Sequence, residues 1–352
     1  MTQENYEMPV QTQQRKADHI RINVEEDVAF KKLTNGLEKY TFMHQALPDL
    51  DLGTVNTQTT VFDRQLNTPV FISSMTGGTD EAHRINLTLA TAAQEVGMAM
   101  GLGSMRAAIE DESLAYSFEV RREAPGILLF ANMGAVQLNY GYGLSEMQRV
   151  VDIAGADALI LHFNALQEAV QPEGDSNFAG LMDQVESLCQ RLEVPVIAKE
   201  VGWGFSEDTV RRLVAAGVAA IDVAGSGGTS WSQVEMHRAP TARHARIAGA
   251  FIDWGIPTAE AVRFARRAAA RVPVFASGGL KNGIEIAKCI ALGANLGGIA
   301  GDFLRAAVSD DGVRAVVELA DTITQELRIA MFCVGAENLA ALAETPLYPS
   351  FS

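Results

Sequence analysis

The feature that most constrains this chain is a short apolar run that recurs eight times: Pro69–Ser73, Met98–Leu102, Ile127–Ala131, Ala158–His162, Pro195–Lys199, Ala220–Ala224, Pro273–Ser277 and Gly297–Gly301. Each is too short for a core helix and lacks polar alternation, the pattern of a strand buried on both faces. Most are followed by an amphipathic, helix-like stretch, and the spacing of roughly 25 to 35 residues is near the length of one βα repeat. Right-handed crossovers in this number can close into an α/β fold of the (β/α)8 TIM-barrel kind. The chain has 352 residues, enough for one such barrel with additions. Residues 1–65 read as an N-terminal extension with two helix-like pieces covering the barrel mouth, 66–330 as the barrel with a closing helix at Gly312–Ala330, and 331–352 as a tail. The longer gap after the sixth run, Thr229–Ile256, reads as an insertion long enough to act as a lid.

Composition narrows the function classes. Apolar runs are broken well before the about 18 residues of a membrane span, and Met1–Asn5 does not open a basic-then-apolar leader, so a soluble cytoplasmic protein is expected. Cys189, Cys289 and Cys333 are scattered without CxxC spacing and are expected to be buried free thiols. A net charge of −15 argues against nucleic-acid or anionic-membrane binding. An anionic ligand would need a local basic pocket.

The carboxyl ends of the predicted strands carry the chemistry. The fourth runs into His162-Phe163-Asn164-Ala165-Leu166-Gln167-Glu168. Glu168 offers a hard oxygen ligand suited to magnesium, whereas Gln167 can hold a substrate but is a poor base near neutrality. The first three strands end in Ser74-Met75-Thr76-Gly77-Gly78, Gly103-Ser104-Met105-Arg106 and Asn132-Met133-Gly134. The fifth ends in Lys199, either a mouth cation or a salt-bridged core lysine. The last three end in glycine-rich turns, Gly225–Thr229, Gly278–Lys281 and Ala300–Asp302. Such turns after strands seven and eight, leading into helices, favour a phosphate. A phosphate-tailed FMN across the mouth above Lys199 fits better than a dinucleotide, since neither GxGxxG after a strand nor GxxxxGK[ST] is present.

Near the N-terminus, Arg15-Lys16-Ala17-Asp18-His19-Ile20-Arg21 concentrates basic residues in an acidic chain. It reads either as a solvated helix start or as an arm gripping a diphosphate, with Arg106 and His162 joining from the barrel and Glu168 holding a magnesium. His19, His162 and Glu168 could instead form a metal site, though they lack helical ligand spacing.

Taken in order, Arg15-Lys16-X-Asp18-His19, Met75-Thr76-Gly77-Gly78, Gly103-Ser104-X-Arg106, His162-Phe163-Asn164-X-X-Gln167-Glu168 with Gln171-Pro172-Glu173-Gly174, Lys199-Glu200-Val201-Gly202 and Gly227-Gly228-Thr229-Ser230-Trp231 resemble the type II isopentenyl diphosphate isomerases over residues 15 to 330. Met105 and Lys281 depart from the glutamine and arginine of that pattern. The resemblance implies an isomerase of isopentenyl and dimethylallyl diphosphate that requires reduced FMN, with magnesium on the diphosphate, NAD(P)H as reductant, and a homotetramer or homo-octamer. It assigns flavin to Met75, Thr76, Gly77, Ser104, Asn132, Lys199, Thr229, Gly279, Leu280, Lys281, Ala300 and Gly301. It assigns substrate to Arg15, Lys16, His19, Ser104, Arg106, His162, Asn164 and Gln167, metal to Glu168, and catalytic roles to Gln167 and Lys199. Flavin ring nitrogens acting on the proton would explain a mouth without an ordinary protein base. Two other readings stand beside it. One is an FMN-dependent 2-hydroxy-acid oxidoreductase drawing on His237, Arg238, Arg243 or His244; the other is a non-catalytic flavin or isoprenoid-diphosphate binding protein.

Overall fold

The computed structural model describes residues 18, 19, 21–23 and 25–351. Eight parallel strands close a barrel: β1 (Val70–Ile72), β2 (Ala99–Gly101), β3 (Leu129–Gly134), β4 (Ala158–Phe163), β5 (Val196–Glu200), β6 (Ala220–Asp222), β7 (Val274–Ser277) and β8 (Leu296–Ile299). Each pairs with its sequence neighbours, and β8 closes on β1. Every predicted run overlaps its strand.

The barrel interior is solid at the amino ends. Phe275 packs between Phe71 and Phe130, with ring centroids 5.7 Å and 6.1 Å away. Below them sit Val61 and Leu66 of a hairpin formed by Thr59–Val61 and Arg64–Leu66. Its two turn residues, Phe62 and Asp63, have φ of 47° and 60°, the left-handed pair that matches strand twist in a two-residue turn. Arg64 reaches Asp157, just before β4, at 3.1 Å and fixes the hairpin there. Room for a ligand is therefore left at the carboxyl ends.

Outside the strands, helix Gly312–Cys333 buries Val316, Ala320, Ile323, Leu327 and Met331, one stripe at three- and four-residue spacing. It runs three residues beyond the predicted closing helix. The region after it is ordered differently from a simple tail: Leu347–Pro349 pairs antiparallel with Tyr40–Phe42 of the N-terminal extension. That extension holds short helical turns and small strands among its described residues, where two helix-like pieces were predicted. Its short apolar groups bury against the barrel one or two at a time, which favours docked irregular chain over long amphipathic helix. The Thr229–Ile256 insertion contains helices Trp231–Arg238 and Ala242–Gly249.

All three thiols are free, but only Cys289 is fully buried; Cys189 and Cys333 close their helices at half-buried positions. Burial still pushes the Cys189 thiol up to about 11. Among the described residues no helix is long and apolar enough to cross a membrane.

Candidate active site

A cavity of about 500 Å³ opens at the carboxyl ends of the strands, a volume suited to a small-molecule ligand. Strand register assembles its floor. His162 is opposite Lys199, and Lys199 is opposite Asp222, so three adjacent strands present three polar groups at one level. Lys199 Nζ donates to the Glu200 carbonyl at 2.8 Å and lies 3.7 Å from Asp222 Oδ2. Both readings of Lys199 therefore hold at once: it is salt-bridged, and it lines the cavity. Burial raises the Asp222 carboxyl, against Lys199 and the Ser277 hydroxyl, which donates to Oδ1 at 2.6 Å. Glu200 turns away to collect the backbone N–H groups of Val201, Gly202, Trp203 and Gly204 at 2.5 to 3.1 Å. Its burial nevertheless raises it to about 7. His162 Nδ1 donates to Asn132 Oδ1 at 2.7 Å, which fixes the ring.

The wall beside β4 is one face of the short helix Ala165–Val170 and its flanks. Asn164, Gln167, Glu168 and Gln171 fall at i, i+3, i+4 and i+7, so their side chains meet. Asn164 Nδ2 donates to Gln167 Oε1 at 3.2 Å and to Glu168 Oε1 at 2.8 Å. Glu168 Oε2 accepts from Gln171 Nε2 at 2.6 Å and from the Asp175 N–H at 2.7 Å. Gln167 Nε2 donates to Glu235 Oε1 at 3.1 Å, on the insertion. Glu235 also receives His19 Nε2 at 3.1 Å and Arg238 at 2.5 Å. Burial raises the Glu235 carboxyl, but His19, Arg238 and Gln167 outweigh it and hold the group below the usual carboxylate range. Next to this wall, Arg106 is paired with Glu110 and Asp175, each at 2.5 Å; despite opposing burial, these carboxylates raise its pKa.

Opposite this wall lie the glycine turns. Gly278 and Gly279 have φ of 106° and 77°, and a Cβ on either would fall 2.0 Å from Gly225 O or 2.4 Å from Gly227 C. Only glycine allows the sixth and seventh turns this backbone contact. Because β7 and β8 are paired neighbours, Gly278–Lys281 and Ala300–Asp302 line the cavity side by side. Gly301 begins a helix whose first N–H groups lack intrahelical partners.

Met75, Thr76, Ser104, Arg106, Asn132, His162, Asn164, Gln167, Glu168, Lys199, Thr229, Gly279, Leu280, Lys281, Ala300, Gly301 and His19 all line this cavity. Gly77 is not among its lining residues; a Cβ there would sit 1.9 Å from the Phe118 ring, so its smallness serves packing. Arg15 and Lys16 lie outside the described residues. His237, Arg243 and His244 are not among the cavity residues, and Arg238 is engaged with Glu235 and Glu173. Among the described residues no group of three or more His, Cys, Asp or Glu could hold a metal, so His19, His162 and Glu168 do not form a three-ligand site. Sequence reasoning missed Asp222, Glu235 and Asp175. An acid inside the apolar run Ala220–Ala224 was a signal for Asp222; Glu235 had only the i, i+3 spacing to Arg238, since its partners His19 and Gln167 come from remote segments.

The model of the FMN-dependent dehydrogenase family matches residues 10–117 and 145–349, and the chain belongs to that family. Solved mandelate oxidases share the barrel: one bound to benzoyl-formic acid aligns over 98% of this chain and 99% of its own with a TM-score of 0.67 at 18% identity. Much nearer in sequence are enzymes named isopentenyl-diphosphate delta-isomerase. That of Nostoc sp. strain PCC 7120 is 52% identical over 332 residues, 94% of both chains. That of Synechocystis sp. strain PCC 6803 is 52% identical over 96% of both. The Rickettsia bellii enzyme is 48% identical over 95% of this chain and 96% of its own. Within the flavin-dependent class, the chain thus falls among the isopentenyl-diphosphate delta-isomerases.

Proposed function

We propose that the protein interconverts isopentenyl and dimethylallyl diphosphate, using FMN reduced by NAD(P)H and magnesium on the diphosphate. The observation that carries this reading is the Asn164–Gln167–Glu168 wall, clamped to Glu235 and facing the cavity, where a hydroxy-acid oxidase would need a His–Arg pair.

The residues present fit both cofactors. Ser74 Oγ is buried in the cavity wall without a partner, beside Met75, Thr76, Ser104, Asn132, Lys199, Thr229 and the turns at Gly279–Lys281 and Ala300–Gly301, which would hold FMN. Asn164 Oδ1 is likewise buried and unpartnered next to Glu168, which would carry magnesium; magnesium commonly takes one carboxylate plus substrate phosphates. When bound, reduced flavin supplies an electron-rich face and ring nitrogens able to exchange a proton. Lys199, which lines the cavity, would balance negative charge on the reduced ring. Gln167, its amide held between Asn164 and Glu235, orients the alkene. Arg15, Lys16, His19, Arg106 and His162 grip the diphosphate, and the arm with the 229–256 insertion keeps water from a cationic carbon. We further infer a cytoplasmic homotetramer or homo-octamer.

The test is anaerobic. Protein with FMN, magnesium and NADPH is given isopentenyl diphosphate and followed by proton NMR. Dimethylallyl diphosphate formed only under reduction supports the reading. Absence of product with flavin bound and reducible sinks it and moves a hydroxy-acid oxidase to the front.

A further inference from the structure

Asp175 is at a junction that the proposed chemistry leaves unexplained. Its Oδ2 accepts from Arg106 Nη1 at 2.5 Å and from Gln137 Nε2 at 3.1 Å. Its backbone N–H, meanwhile, donates to Glu168 Oε2 at 2.7 Å. One residue thus touches both the Arg106 guanidinium, through its side chain, and the Glu168 carboxylate, through its backbone.

The loop that carries it is tightly built. The Gly174 N–H returns to Gln171 O at 3.3 Å, and a Cβ on Gly174 would fall 1.9 Å from the Glu168 carbonyl. Only a residue without a side chain brings Asp175 this close to Glu168. Downstream, Asn139 Nδ2 donates to the carbonyls of Asn177 and Ala179 at 2.9 Å and 3.0 Å. The loop is therefore held at both ends, and Asp175 has little freedom to drift.

We propose that Asp175 is a positioning residue that sets the Arg106 guanidinium and the Glu168 carboxylate relative to each other, so that one loop places the diphosphate-binding cation and the magnesium ligand together. This rests on the diphosphate reading above. The side chain performs the first half and the backbone the second, so the halves separate by mutation. In Asp175→Asn the amide oxygen still accepts from Arg106 and Gln137 and the N–H to Glu168 stays. Asp175→Ala keeps the N–H and removes the acceptor. Gly174→Ala removes neither group but displaces the loop.

The FMN-loaded protein is titrated calorimetrically with inorganic diphosphate in magnesium, and magnesium is titrated at fixed diphosphate. Asp175→Ala should bind diphosphate about tenfold more weakly, the equivalent of one charge-assisted hydrogen bond. Asp175→Asn should stay within about threefold of the parent, and both should keep its FMN affinity and magnesium requirement. Gly174→Ala should weaken diphosphate and raise the magnesium requirement together, about tenfold each by loss of preorganisation. Unchanged diphosphate binding in Asp175→Ala overturns the proposal. So does tighter binding in both Asp175 variants, which would make the carboxylate a mere competitor for Arg106. If Asp175→Ala does not hold FMN, Gly174→Ala decides, and a change in only one of its two affinities overturns the coupling. If the parent itself binds no diphosphate, the functional reading fails and this proposal with it.

Discussion

Glu235 receives hydrogen bonds from His19, Gln167 and Arg238, three segments far apart in the chain, and is 1% exposed. A buried carboxylate is tolerated only with such partners, and they lower its pKa although burial alone would raise it. A depressed folded pKa means the unfolded chain binds the proton more readily. The stability tied to Glu235 is then complete above the unfolded carboxylate value near 4.5 and is lost as pH falls through the lower folded value. Thermal melts of the parent and Glu235→Gln should differ near pH 5, and the difference should shrink as the pH falls further into acid. A gap that widens in acid would show that the sign is wrong. Gln167→Ala should leave FMN affinity intact and lower kcat about 10²-fold, the scale of losing one positioned polar group; steady-state kinetics with flavin titration checks it. Gly77→Ala forces a methyl into the Phe118 ring and should cost about 1–3 kcal/mol in denaturant unfolding without altering substrate affinity in the folded fraction.

At the level of elements, the N-terminal arm and the insertion behave as one cover. Val28 O accepts from the Ser230 N–H at 2.8 Å, Gly228 O accepts from the Phe30 N–H at 3.3 Å, and Asp253 Oδ1 gathers the N–H groups of Lys31, Lys32 and Leu33 at 2.8 to 3.2 Å. The apolar contact beneath is small: Ile22, Val28 and Val234, with Trp231 against them. Among the described residues so few buried apolar groups join arm and insertion that this contact should open more readily than the barrel core. Asp253→Ala should speed amide hydrogen exchange across residues 25–35 severalfold and leave β3 to β5 unaffected; equal acceleration in those strands would mean that cover and barrel open together.

For the whole molecule, the division is between a solid barrel base and an open polar mouth. The Phe71, Phe130 and Phe275 cluster with its hairpin plug fills the base with apolar side chains, while Lys199, Asp222 and the glycine turns gather polar groups at the mouth. Binding to the folded state alone should therefore raise stability by about 2.7 kcal/mol at a free FMN concentration 100 times Kd. A melting temperature that does not move across an FMN titration would show that the folded protein does not bind the flavin.

The eight strands were legible because each is largely buried on both faces and therefore mostly apolar, with polar residues gathered toward the carboxyl ends, a local property of about five residues. The β4 wall was legible for a similar reason: Asn164, Gln167, Glu168 and Gln171 share a helical face by spacing alone. The hairpin plug was not, since Phe62 and Asp63 take left-handed backbone without the glycine that usually announces it. Nor was the pairing of Tyr40–Phe42 with Leu347–Pro349, a contact across almost the whole chain. Glu235, Asp175 and the place of Gly77 depend on which remote side chain lies within 3 Å, and no local pattern encodes that. The sequence by itself determined the barrel, its glycine-rich turns and the polar residues at its strand ends, because these follow from periodicity and residue type. Only the tertiary structure decided which charges compensate one another, because hydrogen bonds act over one atomic contact and the packing of arm, insertion and loops on the barrel sets those contacts.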